Sequence, residues 1–266
     1  MNAHEIDYKI IGDDMQCVEV ELDPQETVIA EAGSLMFMDG NIAMNTIFGD
    51  SSKQDEGVMS KLFSAGKRLL TGESLFMTAY TNNGANKFYA SFAAPYPGKI
   101  IALDLSEYGN KIVCQKDAFL CAAKGVSIGI EFQKKLGVGF FGGEGFIMQK
   151  LEGDGMAFVH AGGTIVEKTL QSGESLKIDT GCLVAFTKEI NYDVQFVGGI
   201  KNTLFGGEGV FFANVAGPGK VWIQSLPFSR LADRIIASAP RYGGKQKGEG
   251  SILGGLGDLL DGDNRF

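Results

Sequence analysis

The stretch Phe141-Gly142-Gly143-Glu144-Gly145-Phe146-Ile147-Met148 recurs 64 positions later as Phe205-Gly206-Gly207-Glu208-Gly209-Val210-Phe211-Phe212. The same offset aligns two further blocks with their counterparts, Asp117–Ala122 with Gly181–Phe186 and Gly153–Val159 with Gly217–Ile223. Three blocks that share one spacing indicate an internal duplication, because self-similarity at a fixed period is typical of repeat architectures.

A fainter third copy lies upstream of the duplicated pair. Its blocks are Ala32–Phe37, Thr71–Met77 and Pro97–Ala102. In the two later copies, the same number of residues separates the first block from the glutamate of the second block. In the upstream copy this separation is longer. Further added residues include the turn sequence Asn82–Asn86 between two apolar runs. This pattern predicts an insertion and a longer hairpin in the first copy.

Glycine supplies 38 of the 266 residues, about twice its usual share, while only 6 are proline. The 19 phenylalanines lie in short apolar runs between these glycines, as expected for many short strands joined by tight turns. We therefore predict an all-β fold of three small β-sandwich or short double-stranded β-helix units with pseudo-threefold symmetry. The predicted units are 1–104 (with an inserted helix and the longer hairpin), 105–161 and 162–227, followed by a C-terminal helix and flexible tail over 228–266.

Three segments show a helical rather than a strand pattern. Residues Glu56–Leu70 place apolar side chains near one helical face and basic side chains elsewhere, which predicts an amphipathic helix inserted in the first unit. Ser229 is a suitable N-cap for a second helix over Arg230–Ser238. A small amphipathic element is predicted at Ser251–Leu260, after a polar spacer rich in glycine and lysine.

The charge balance excludes some classes of function. The chain has 24 Lys and Arg against 32 Asp and Glu, a net charge of −8, which argues against a nucleic-acid surface because such surfaces rest on basic side chains. No apolar run approaches the roughly 18 residues of a membrane span, and no secretory signal is visible at the N-terminus. Four cysteines without a CxxC pair predict free thiols in a reducing, cytoplasmic setting; they are Cys17, Cys114, Cys121 and Cys182.

Several linked motifs carry a family resemblance: Thr71–Phe76, the paired Phe-Gly-Gly-Glu-Gly and Gln224–Ile235. Through them, residues 5–238 resemble the altered-inheritance-of-mitochondria family, which was long catalogued as a domain of unknown function. The resemblance implies a triplicated β-fold similar to the tryptophan RNA-binding attenuation protein, and a trimeric ring. It implies no reaction, because the family has no established catalytic residues.

The motifs that suggest catalysis lack the neighbouring residues and secondary structure that catalysis requires. Gly137–Gly142 satisfies G-x-G-x-x-G, but no helix fits after its third glycine, and the sister copy has Lys201–Leu204 where the first two glycines stood. His4 and His160 are isolated, and an isolated histidine at the end of an apolar strand is typical of a structural residue with satisfied hydrogen bonds. We therefore predict no catalytic residue, no metal or cofactor site and no enzymatic activity.

One set of carboxylates is repeat-equivalent: Glu73, Glu144 and Glu208. Threefold packing would bring them to one end of the axis, where they could bind a cation as a ring of oxygen ligands. Alternatively, each carboxylate accepts hydrogen bonds from its own glycine turn or pairs with a basic neighbour. We favour the second interpretation, because three uncompensated carboxylates would raise one another's pKa and resist assembly.

These observations leave two main functions open. The first is a non-enzymatic oligomeric scaffold or interaction protein, expected as a homotrimer because each unit presents sheet edges that need a partner. The alternative is a β-fold that binds a small molecule or sugar in a pocket at the repeat interface, which a buried cluster of polar groups would favour. RNA binding by analogy with the attenuation protein is disfavoured by the net charge. The stretch 56–70 could also contact a protein partner or an anionic membrane surface.

Overall fold

Short apolar segments separated by turns form nineteen β-strands and one α-helix in the computed structural model, which describes residues 3–48, 76–134, 146–196 and 211–239. The N-terminal strand β1 (Asp7–Ile11) pairs with β2 (Cys17–Leu22). The other strands follow in three sets of six. The first set comprises β2 (Cys17–Leu22), β3 (Thr27–Glu31), β4 (Leu35–Met38), β5 (Ile42–Phe48), β6 (Phe76–Asn82) and β7 (Phe88–Ala93). The second set comprises β8 (Gly98–Asp104), β9 (Lys111–Gln115), β10 (Phe119–Ala123), β11 (Ser127–Lys134), β12 (Phe146–Glu152) and β13 (Met156–Gly162). The third set comprises β14 (Ile165–Leu170), β15 (Ser175–Asp179), β16 (Leu183–Thr187), β17 (Asn191–Phe196), β18 (Phe211–Ala216) and β19 (Gly219–Gln224).

The strands of each set pair in the same antiparallel scheme. The sixth strand lies between the first and the third, and the fifth strand lies between the second and the fourth. Each set therefore forms two three-stranded layers. The ladder between the third and sixth strands shifts register after the first residue in every set, at Leu35, Phe119 and Leu183. The pairing scheme thus recurs three times, while a threefold rotation axis stays a prediction.

The 64-residue offset of the sequence reappears in the strand positions. Strands β9, β10 and β11 begin at Lys111, Phe119 and Ser127, and β15, β16 and β17 begin at Ser175, Leu183 and Asn191. A short 3-10 turn precedes β10 at Lys116–Ala118 and β16 at Thr180–Cys182.

Two details of the first copy differ from the sequence-based expectation. The block Pro97–Ala102 was assigned to the first copy, but β8, which begins at Gly98, pairs with β13 of the second set. Residues Asn82–Asn86 do form a turn, in which the Asn82 amide donates to the carbonyl oxygens of Leu22 and Asn86 at 2.8 Å. However, β6 and β7 on either side lie in different sheets, so the expected hairpin is wrong. The unit boundaries themselves stay a prediction.

Two ladders join neighbouring sets. At the first junction β3 pairs with β10, with Ala30 opposite Cys121. At the second junction β9 pairs with β16, with Cys114 opposite Ala185. Both ladders connect the second strand of one set to the third strand of the next. Two six-stranded sheets result, each built from one layer of two neighbouring sets.

The apolar core consists of three clusters that follow the sets. Val20 and Phe92 belong to the cluster centred on the first set. Ile112 and Leu151 belong to the second, and Phe186 and Val215 to the third. Burial of the inward face of each strand accounts for the alternating pattern of the sequence, for example in β2, where Val18, Val20 and Leu22 are buried.

The chain divides into two units, Met1–Ser229 and Arg230–Phe266, and all strands of the described residues belong to the first. Helix α1 spans Phe228–Ser238, so it begins two residues before the predicted start. The predicted elements at Glu56–Leu70 and Ser251–Leu260 lie outside the described residues. Within the described residues, no helix has the length and apolar character that crossing a membrane requires.

Candidate functional site

One candidate site is a pair of strand edges. The strands β4 and β15 each end a sheet, and within the described residues neither has a partner on its outer side. Their equivalents in the other sets are the strands that form the two junctions. The backbone N–H and C=O groups of such an edge can pair with a further strand.

The side chains of these open edges differ from their equivalents in exposure. Phe37 of β4 is 52% exposed, whereas its equivalents Cys121 and Ala185 are completely buried. Met36 is also exposed, at the position that buried leucine and valine occupy in the other two sets. The open edge therefore carries apolar side chains that the junctions bury.

A second candidate site is a pocket of about 310 Å³ at the end of the first junction. Glu31, the last residue of β3, lies on one side of it, and Asp117 and Phe119 at the start of β10 lie on another. Tyr96 comes from the connection between β7 and β8, and His160 from β13. The turn Ala32–Ser34 also contributes to the wall, and Gly33 there has a φ of +90° that favours glycine.

The pocket contains two carboxylates whose charges interact. Burial, aided by the nearby Asp117 carboxylate, raises the pKa of Glu31 from 4.5 to about 7, while Lys116 opposes the shift. Burial together with the Asp117 and Glu31 carboxylates raises the pKa of Tyr96 to about 12. At neutral pH, Glu31 is therefore partly protonated and the phenol of Tyr96 is neutral.

The most unusual side chain of the pocket is His160, which is 2% exposed. Neither of its ring nitrogens has a hydrogen-bond partner among the described residues. Burial lowers the pKa of His160 to about 4, so the imidazole is neutral at pH 7. The ring of Tyr96 meets it edge to face at 4.5 Å between centroids. A buried imidazole without partners is costly, and such groups in native proteins call for an explanation.

The equivalent place at the second junction is built differently. Position 224, which is 64 residues after His160, is a glutamine whose amide donates to the Gly181 carbonyl at 2.8 Å and accepts from the Gly162 N–H at 2.7 Å. Gly181 is itself the equivalent of Asp117, and Gln115 is the equivalent of Glu31. Two ionisable carboxylates and an unpartnered imidazole at the first junction thus stand where the second junction has neutral residues.

The candidates proposed from the sequence are only partly described. Glu73, Glu144 and Glu208 lie outside the described residues, as does the stretch 56–70, so both predictions stay predictions. Among the described residues, no group of three or more His, Cys, Asp or Glu side chains could hold a metal ion. All four cysteines are free thiols, as predicted. His160 was expected to have satisfied hydrogen bonds, and this expectation is wrong, because neither ring nitrogen has a hydrogen-bond partner among the described residues.

Glu31, Tyr96 and Asp117 were not identified from the sequence. They lie far apart along the chain and belong to no catalytic or binding motif, so only the strand pairing brings them together. A comparison between copies could have found the two acids, because Gln115 and Gly181 replace Glu31 and Asp117 at equivalent positions.

A family model described as Mitochondrial biogenesis AIM24 matches residues 8–226 of the chain. The chain belongs to this family. A relative from Streptococcus pyogenes serotype M6, described as an uncharacterised protein, is 30% identical over 225 residues, which cover 84% of this chain and 86% of the relative. The crystal structure of a Streptococcus pyogenes protein aligns with a TM-score of 0.69 at 24% identity, over 88% of this chain and 100% of that one. This last likeness supports the all-β fold alone, and similarity to the attenuation protein stays a prediction.

Proposed function

We propose that this AIM24-family chain is a non-enzymatic oligomeric scaffold whose copies join edge to edge, with β4 of one copy paired to β15 of the next. The observation that carries the proposal is the repeated junction. The chain uses the same ladder between neighbouring sets twice, and the strands that would form a third such ladder are left at the two ends.

The two internal junctions use one register. Ala30 lies opposite Cys121 at the first junction, and Cys114 lies opposite Ala185 at the second. Cys114 occupies in its set the place that Ala30 occupies in the first set, and Ala185 likewise corresponds to Cys121. A third ladder of the same kind should therefore have the same register.

This register specifies which residues would meet in the proposed ladder. It places Phe37 opposite Ile178 of a second copy and Met38 opposite Lys177. Residues that face each other across an antiparallel ladder share one side of the sheet. Phe37 would then lie beside the buried Ile178, on the side that holds the core.

The side chains of β4 support pairing with another copy. Proteins usually protect free edges with charges, prolines or very short strands, because an exposed apolar edge promotes association. Strand β4 is short, at four residues, but its sequence Leu-Met-Phe-Met has neither a charge nor a proline. A second copy of the chain is the partner that offers an edge of matching register.

We propose three copies, as the family resemblance implies. A contact between unlike surfaces, here β4 against β15, generates a closed ring when the rotation between neighbours completes a full turn. A ring leaves neither edge unpaired. An open series of copies would leave one edge free at each end and would continue to grow.

Light scattering after size exclusion tests the proposal. The natural chain should have a mass of about 85 kDa, three times 28.4 kDa. Phe37→Glu should reduce the mass to that of one chain, because a carboxylate would be buried at the proposed ladder. Met15→Glu is the matched control, since Met15 is equally apolar and 69% exposed but lies on the turn between β1 and β2. A natural chain with the mass of a single copy at every concentration would contradict the proposal.

The pocket supports small-molecule binding as a second candidate function. It brings the buried His160 together with the half-buried Glu31 and Tyr96 at a junction between sets, and a few polar groups placed in a concave site are typical of a binding protein. The two functions are compatible, because the pocket and the open edges use different residues.

A further inference from the structure

The pocket at the first junction differs from the equivalent place at the second junction in charge and in hydrogen bonding. We propose that it binds a protonated organic amine, whose ammonium group contacts Glu31 and His160 and whose apolar part packs against Tyr96, Phe119 and Phe228. The site lies within a single chain, so the proposal does not depend on the oligomeric state.

The charges of the pocket favour a cation. Among the described residues that line it, two carry carboxylates, Glu31 and Asp117, and none is lysine or arginine. Lys116 lies close enough to influence Glu31, although it does not line the pocket. A buried carboxylate that loses its proton needs a positive partner, and an ammonium group inside the pocket supplies one.

The unpartnered imidazole identifies the kind of cation. A neutral imidazole has one nitrogen with a free lone pair, which accepts a hydrogen bond. An ammonium group that keeps its N–H bonds has several donors and can reach both Glu31 and His160. A quaternary ammonium has no donor and would leave His160 as unpartnered as it is now. A metal ion fits less well, because the described residues contain no group of three suitable ligands.

The remaining walls fit an apolar body of modest size. The ring of Phe228 lies 5.2 Å from that of Tyr96, centroid to centroid, and both rings line the pocket with Phe119. Aromatic faces attract cations and also pack against apolar groups. A volume of about 310 Å³ lies at the small end of the range for ligand pockets. The ligand class is therefore a small amine that carries an aromatic or branched aliphatic group.

Binding of such an amine should release a proton. The pKa of Glu31 is about 7 in the empty pocket, where the Asp117 carboxylate and burial raise it and Lys116 lowers it. Tyr96 and His160 stay neutral between pH 6 and 8, because their pKa values are about 12 and about 4. Cys114, whose buried thiol also lies near Glu31, stays protonated as well, because its pKa is raised. The association constant should thus rise about tenfold from pH 6 to pH 8, following the ionised fraction of Glu31.

Isothermal titration calorimetry of the full chain with three matched probes tests the proposal. Phenethylamine should bind, 2-phenylethanol should bind at least about tenfold more weakly, and 3-phenylpropionate more weakly still. Titrations at pH 7 in two buffers of different ionisation enthalpy should report about half a proton released per bound amine.

Two variants locate the binding site. Glu31→Gln keeps the shape of the side chain and should weaken phenethylamine binding at least about tenfold and abolish proton release. Glu5→Gln makes the same chemical change at an exposed position outside the pocket and should change neither. His160→Phe removes the imidazole nitrogens and should also weaken binding. Urea unfolding of each variant separates loss of the site from loss of the fold.

Several outcomes would overturn the proposal. One is no binding of phenethylamine up to about 10 mM, a concentration that would reveal a dissociation constant of about 1 mM. Another is equal binding of the alcohol and the amine, which would indicate an apolar site without charge recognition. A third is unchanged amine affinity in a folded Glu31→Gln variant, which would place the binding elsewhere on the chain.

Discussion

The second junction and the open edges hold equivalent residues in opposite surroundings. Ala185 of β16 lies opposite Cys114 and is completely buried. Its equivalent Phe37 is 52% exposed, although the strand that carries it pairs with its own set in the same way and has the same shift of register. The difference lies in whether a neighbouring set is present. One kind of ladder is thus completed within the chain at two places, and in our proposal another copy completes it at the third.

The two junctions also differ from each other, in the residues at the ends of their ladders. Gln224 closes the end of the second junction with two hydrogen bonds to backbone groups. The first junction ends on Glu31 and on His160, whose nitrogens have no partner among the described residues. The two junctions have the same strand pairing and register. They differ in the side chains at the ends of their ladders.

The largest expected effect is at the second junction. Ala185→Glu places a carboxylate between buried strands and should lower the free energy of unfolding by about 4 kcal/mol or more, or prevent folding. Urea denaturation measures this effect. Stability equal to that of the natural chain would mean that the junction is loosely packed, and the distinction between junction and open edge would fail.

A smaller effect is expected at the end of the first junction and should depend on pH. Because the folded chain raises the pKa of Glu31 from 4.5 to about 7, ionisation of Glu31 costs stability as the pH rises through this window. Glu31→Gln removes that loss, so its stability relative to the natural chain should increase by up to about 3 kcal/mol between pH 4 and pH 8. Urea denaturation at several pH values measures the change. Parallel pH profiles for variant and natural chain would contradict the assigned environment of Glu31.

The smallest effect on the fold is expected at the open edge. Phe37→Glu should leave the free energy of unfolding of the single chain within about 0.5 kcal/mol of that of Met15→Glu, because both side chains are exposed in one copy. The comparison uses both variants at concentrations low enough to keep single chains. A loss comparable to that of Ala185→Glu would show that Phe37 is part of the core, contrary to its exposure.

The sequence predicted where the strands lie better than it predicted which strands pair with one another. The 64-residue offset and the alternating apolar pattern predict the strands around Lys111–Ala123 and Ser175–Thr187 and the all-β class, and Ser229 marks the start of α1 to within two residues. The alternation of a strand reports which face is buried and not which strand lies beside it. For this reason, a hairpin was predicted at Asn82–Asn86 where the chain passes from one sheet to another.

The pocket could not be predicted from motifs, because its chemistry arises from burial. Glu31 and Asp117 resemble ordinary surface carboxylates in the sequence, and His160 resembles an ordinary strand residue. Only the first junction brings them to one cavity, in which His160 is buried, Glu31 is half-buried and Asp117 stays exposed. The repeat nevertheless contains a usable signal, since an ionisable residue where the sister copy has Gln115 or Gln224 marks a departure from the structural pattern.

Disulfide trapping of the proposed ladder tests the central claim most directly. Residues facing each other across antiparallel strands have Cα atoms about 4.5 to 5.5 Å apart, within the range that a disulfide spans. A chain with Met38→Cys and Lys177→Cys should therefore form covalently linked oligomers of up to three copies on mild oxidation, visible on non-reducing gels. The control with Met44→Cys and Lys177→Cys, in which the first cysteine lies on β5, and the natural chain with its four free thiols should remain single chains. Equal cross-linking of the two double variants, or none in either, would contradict pairing of β4 with β15.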